Sequence, residues 1–179
     1  MKNIRIIDCH THVFPDSLAP KAVENLENYY KMKWSCKGTL SDVLSNMAEA
    51  EIYKSVVLSA PTKPTQVVKT NDFLYEIKNE KFICFGSVHP DYEDWENEIE
   101  RVKKLGLKGF KFHPDFQSFN IDSDKMLEIY QKIGTDYPIL IHTGDETSDK
   151  SSPKCLARVL EIFPDHIFIA AHLGGYSKW

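Results

Sequence analysis

The chain has 179 residues, 42% of them hydrophobic and 27% charged. That is enough apolar material for one real core, and it excludes disorder and collagen-like repetition. A net charge of -4 and a pI near 6.0, with Lys and Arg scattered among acids, exclude the basic surface that nucleic-acid binding requires.

The first predicted strand runs from Ile4 and closes on Asp8-Cys9-His10-Thr11-His12. Side chains at i and i+2 of a strand share a face, so His10 and His12 can grip one ion from a single stiff element. A long connection from Val13 to Gly38 leaves from that end, with Pro15, Pro20 and a short helix around Lys21 to Tyr30. Connections longer than about 12–15 residues are uncommon in compact domains unless they serve a function. Tyr29, Tyr30, Met32 and Trp34 therefore either line the mouth of a site or pack this excursion onto the body.

Thr39 to Ala50 has Leu40, Val43, Leu44 and Met47 at helical spacing, with Thr39 or Ser41 able to cap its start. Ser55 to Ala60 reads as a strand, Thr65 to Asn79 as a helix, and Phe82 to Val88 as a strand followed by His89-Pro90-Asp91. A helix from about Tyr92 to Leu105 stops at Gly106. Leu107 to Phe112 is the fourth strand, followed by His113-Pro114-Asp115, and Asp122 to Ile133 is a helix ended by Gly134. Pro138 to His142 is the fifth strand, and Thr143-Gly144-Asp145 turns away from it. Ser152 caps a helix reaching about Phe163. Ile167 to His172 is the sixth strand, and Leu173-Gly174-Gly175 leads out of it.

Apolar strands that alternate with helices argue for a parallel sheet covered on its faces. Functional-looking residues close at least four of the six strands at their C-terminal ends. A (β/α) barrel gathers those ends around one axis, whereas an open sheet spreads them along an edge. No GxGxxG follows the first strand, which removes the main signature of a dinucleotide fold. The expected fold class is therefore α/β, a TIM-type (β/α) barrel. A full barrel takes about 250 residues, so residues 1–179 read as one barrel domain, C-terminally incomplete, with only the first six βα units.

Neutral imidazoles around a divalent ion make a catalytic site when one coordination position stays open. His10 and His12, with His142 from the fifth strand, reach the barrel axis from opposite sides. His172 lies beside His142, placed to hold a second ion or to polarise a substrate carbonyl and shuttle a proton. Asp8 is expected one layer deeper, orienting a histidine. His89 is expected to be a loop residue with a structural hydrogen bond, and His166, at the opposite end of the barrel, is assigned no function. One divalent ion is expected, zinc first, with manganese, iron and cobalt open because this donor set suits them all.

The segments Asp8-Cys9-His10-Thr11-His12, Gly109-Phe110-Lys111-Phe112-His113-Pro114, Ile141-His142-Thr143-Gly144 and Ala171-His172-Leu173-Gly174-Gly175 stand in the order and spacing of the amidohydrolase superfamily. The chain most resembles its amidohydrolase-related branch, which includes aminocarboxymuconate semialdehyde decarboxylase. The resemblance implies a distorted TIM barrel in which His10, His12 and His142 bind the metal and His172 is the catalytic or second-metal histidine. It also implies an aspartate after an eighth strand, beyond these residues. Relatives with two metals bridge them by a carboxylated lysine on the fourth strand. In the GFKFHP context, Lys111 reads instead as a substrate-carboxylate or structural contact, with His113 touching substrate from the mouth, and a one-metal site is expected.

The leading expectation is a metal-dependent hydrolase of a small amide, ester or lactone. A non-oxidative decarboxylase of an unsaturated or aromatic acid is the alternative on the same scaffold. A third reading is an inactive or assembly-dependent fragment whose open sheet edge pairs with another copy of the chain. The expected partner is a small-molecule substrate such as a carboxylate. Four cysteines without a CxxC pair, no secretory leader and no apolar run near the roughly 20 residues of a membrane span predict a cytoplasmic location.

Overall fold

A computed structural model describes residues 4–178. Along the chain lie β1 (Ile6–His12), α1 (Ala19–Tyr30), α2 (Leu40–Glu49), β2 (Ile52–Leu58), α3 (Val67–Ile77), β3 (Phe82–Phe85) and α4 (Trp95–Lys104). They are followed by β4 (Phe110–Phe112), the single-turn α5 (Pro114–Gln117), α6 (Asp124–Ile133), β5 (Ile139–Ile141), α7 (Pro153–Ile162) and β6 (Phe168–Ala170). The strands pair in parallel and in sequence, β1-β2-β3 and β4-β5-β6. A parallel bridge from Gly86 to Phe110 joins the two sets, with Lys111 N donating to Gly86 O at 2.7 Å. The result is the six-stranded arc of a (β/α) barrel, as the sequence predicts.

Period-two alternation decides what each strand sends inward. Phe110 and Phe112 of β4 and Ile139 and Ile141 of β5 face the helices, where they meet Leu74, Ile99, Ile129, Tyr130 and Val159 in the main core. Leu140 faces the other way and packs with Leu58, Phe85 and Ala171 in a smaller cluster. The same rule turns Lys111 away from Phe110 and Phe112.

Several boundaries differ from expectation. β2 begins at Ile52, three residues before the predicted start at Ser55. β3 stops at Phe85, because the backbone of Gly86 and Ser87 bonds Gly109 and Asn71 instead of extending the ladder to β2. β1 is not the covered strand that its apolar run suggests: Ile6 and Ile7 are 48% and 46% exposed, since β1 has a sheet neighbour only on its β2 side. Thr39 caps α2, its Oγ1 accepting from Asp42 N, whereas Ser152 stands at the start of α7 without a side-chain cap bond.

The end of β3 is pinned by buried Asn71. Its Nδ2 donates to Ser87 O at 2.8 Å and to Glu98 Oε1 at 2.6 Å, and its Oδ1 accepts from Ser87 N at 2.9 Å. Asn71→Ala leaves a buried N–H, a carbonyl and a carboxylate oxygen short of a partner, so we expect a loss of about 2–4 kcal/mol in urea unfolding. A loss below about 0.5 kcal/mol would show that water replaces the amide.

Candidate metal centre

The site forms where the C-terminal ends of β1, β4, β5 and β6 converge. In β1 a bulge sets three residues against two of β2, with Asp8 opposite Ser55 and Thr11 opposite Val57. Asp8 holds the bulge: Oδ1 accepts from His10 N at 3.0 Å and Oδ2 from the Thr11 hydroxyl at 2.7 Å. Asp8 thus orients His10 through the backbone, where the sequence reading had it orient an imidazole. Bulges re-aim side chains beside sites, and here His10 Nε2 and His12 Nε2 end 3.1 Å apart.

Facing this pair, His142 Nδ1 lies 3.0 Å from His172 Nε2, and the rings of His10 and His172 are 5.0 Å apart. His172 follows β6 with φ +57°, and Leu173 with φ +54°. Left-handed backbone at two non-glycine residues costs roughly 1–2 kcal/mol each, and it turns the imidazole toward His142.

His113 stacks between Phe116 and His142, with ring centroids 3.8 and 4.0 Å away. Its Nδ1 accepts from Phe116 N, which leaves the Nε2 proton for the Tyr30 hydroxyl 3.3 Å away. The mouth is covered by the end of α1. Tyr29 donates to Asp145 Oδ2 at 2.7 Å and packs edge-on against Phe116, while Tyr30 lies against Trp34 and Tyr176. Tyr29 and Tyr30 therefore line the mouth and pack the excursion at once. Met32 is exposed.

Burial dominates the electrostatics. It lowers the His10 and His142 imidazoles to about 3, assisted by the charge of Lys111, and holds His12 and His113 well below their usual range. Lys111 is fully buried, its Nζ has no hydrogen-bond partner, and burial brings its ammonium down to about 7. Neutral imidazoles keep a lone pair for a metal. Zinc–nitrogen bonds of about 2.0–2.1 Å at tetrahedral angles place two ligand nitrogens about 3.3 Å apart. The His10–His12 separation and the unpartnered, buried His142 Nε2 both fit such an ion.

One group of three ligand-type residues among the described ones has its donor atoms all within 4.8 Å of one another: Asp115, His142 and Asp145. The predicted trio His10, His12 and His142 is not gathered that closely. Burial raises the Asp115 carboxyl above its usual range against the Ser151 and Ser148 hydroxyls, which lie near without hydrogen-bond alignment. The sequence analysis assigns neither aspartate a role, although each stands two or three residues beyond a strand-end histidine. His89 Nδ1 accepts from Asp91 N, and His166 pairs with Tyr130 O.

A family model described as Amidohydrolase matches residues 7–179. No curated protein matches the sequence. Among solved structures, the chain resembles a Staphylococcus aureus protein taken to be an amidohydrolase, with a TM-score of 0.66 and 16% identity over 93% of this chain and 67% of that one. It also resembles 2,6-dihydroxybenzoate decarboxylase complexed with 2,6-dihydroxybenzoate, with a TM-score of 0.61 and 15% identity over 97% of this chain and 67% of that one. At such identities the likeness is one of fold. No described helix is long and apolar enough to cross a membrane. With the match extending over almost its whole length and the arc of strands to carry it, the chain belongs to the amidohydrolase family.

Proposed function

We propose that this chain carries the centre of a metal-dependent hydrolase acting on a small amide, ester or lactone. The observation that carries the reading is the pair of Nε2 atoms of His10 and His12, 3.1 Å apart and held neutral by burial. His10, His12 and His142 would hold one divalent ion, zinc before manganese, iron or cobalt. When bound, such an ion activates water and polarises a carbonyl.

The chain's own residues do the rest. His172, lowered by burial and by the charge of Lys111, presents a neutral ring that can carry a proton at Nδ1, the nitrogen not engaged with His142, between the attacking water and the leaving group. Lys111 Nζ, buried and unpartnered, can meet a substrate oxygen, and His113 contacts substrate from the mouth. Tyr29, Tyr30 and Phe116 exclude bulk water on that side.

A second reading, decarboxylation of an aromatic acid, draws on the aromatic mouth. Tyr29, Tyr30, Trp34, Phe116 and Tyr176 form a cluster that suits a planar ring, with Lys111 available for its carboxylate.

Metal analysis after gentle purification tests the shared premise. Near one equivalent of zinc is expected, and His10→Ala/His12→Ala should lose that zinc together with any turnover. Less than about a tenth of an equivalent, with no gain on adding zinc or manganese, would sink both readings. Oxygen-18 from water appearing in the product favours hydrolysis, and carbon dioxide release favours the alternative.

A further inference from the structure

Two carboxylates that the histidine chemistry leaves unused stand in the loops after β4 and β5. The Asp115 side chain is 2% exposed, and neither of its oxygens has a hydrogen-bond partner. Asp145 is buried beside it; Oδ2 accepts from the Tyr29 hydroxyl at 2.7 Å, and Oδ1 accepts from the amide and hydroxyl of Thr147 at 2.8 and 2.9 Å.

Among the described residues no lysine or arginine pairs with either carboxylate. The basic nitrogen in reach is His113 Nδ1, 3.9 Å from Asp115 Oδ2, and that atom is occupied as the acceptor of the Phe116 amide. Two adjacent buried carboxylates without a cation are costly. His142 adds a third donor within 4.8 Å of both, and its Nε2 is buried without a partner.

We propose that Asp115, Asp145 and a ring nitrogen of His142 form an accessory site for a hard divalent cation, separate from the His10–His12 pair and sharing only His142 with it. Two carboxylate oxygens and one imidazole suit manganese(II) or magnesium, which prefer oxygen donors. Neutral imidazole offers one lone pair, so an ion here competes with an ion at the histidine pair for His142. The site stands whether or not that pair binds metal.

Manganese(II) titrated into metal-free protein, with free ion counted by its EPR signal, tests the proposal. The His10→Ala/His12→Ala protein is expected to keep one manganese, and Asp115→Asn in that background to weaken it roughly tenfold or more. Asp115→Asn keeps the side chain's shape and relieves charge crowding. Its thermal midpoint, expected at or above its parent's, separates lost ligation from lost folding. If the double variant does not fold, terbium(III) emission from the wild-type chain, sensitised through Tyr29 beside Asp145, decides.

Terbium(III) excited through Tyr29 gives a second readout, with sensitised emission in the wild type that Asp115→Asn abolishes. No manganese on the folded double variant, or an affinity and emission that Asp115→Asn leaves unchanged, would overturn the site. Manganese bound as tightly and in equal number with and without His10 and His12 would leave this site standing and remove the histidine pair as a ligand.

Discussion

Lys111→Met is expected to make the metal-free protein more stable, by about 2–4 kcal/mol near neutral pH. The wild-type side chain is fully buried in β4 and its Nζ meets no acceptor, while a methionine of similar length needs none. The sign of the pH dependence follows from the lowered ammonium, which titrates near 7 in the folded chain and near 10.4 when unfolded. Between these values the unfolded state binds more protons, so wild-type stability rises with pH. The advantage of Met is therefore largest below about pH 7 and fades toward pH 10. Thermal or urea unfolding at several pH values from 6 to 10 measures it. A variant no more stable than wild type at pH 6 would mean that Nζ has an acceptor, such as a bound anion. Because the Lys111 charge also lowers His172, the same substitution should raise that imidazole's midpoint in an NMR titration.

Gly144→Ala is expected to break the site from the opposite direction. Gly144 has φ +87°, and a Cβ placed there would lie 1.5 Å from Gly175 O and 2.2 Å from Gly175 C. Rigid backbone cannot yield as a side-chain tip does, so the 173–178 segment must move. With it go the bonds from Ser177 N and Oγ to Gly144 O, at 3.1 and 2.8 Å. Gly134 supplies the control, since it has φ +79° but nothing within 4 Å of an added Cβ. Gly134→Ala should cost about 1–3 kcal/mol from the backbone alone, since φ +79° with ψ −175° is a conformation essentially confined to glycine. Gly144→Ala should cost about 3 kcal/mol or more, and should erase the His142–His172 contact in histidine nitrogen NMR spectra. Equal losses in the two variants would show that the loop after β6 adapts freely.

What could be read in the sequence was whatever a short period encodes. His10 and His12 lie two apart on an apolar run, and His113, His142 and His172 close later ones, so their meeting at one end of an arc follows from parallel strands alone. The bulge at Asp8 was beyond reach, because nothing in Asp-Cys-His-Thr-His distinguishes a regular strand from one whose carboxylate caps its own backbone. Lys111 alternates with Phe110 and Phe112, which gives its direction but not the absence of an acceptor. Asp115 and Asp145 stand in the segments that leave β4 and β5, where aspartate serves turns well, so nothing in the sequence marks them as partners. Their closeness depends on the spacing of β4 and β5 in three dimensions. The strain at His172 is likewise a product of tertiary packing.

β1 and β6 each have a sheet neighbour on one side only, yet they carry His10, His12 and His172, whose rings meet at the mouth. Strands bonded along one edge exchange their amides soonest and open with the least free energy. The candidate metal centre is thus mounted on the two parts of the sheet with a neighbour on one side only, with the buried β4–β5 pair as its fixed reference. Warming would disperse the imidazoles before the Phe110–Ile139 core melts, so loss of the histidine cluster would precede loss of fold. Anything that clamps the seam between β1 and β6, whether further strands or bound metal, would tune the chemistry by setting how long the three rings stay together.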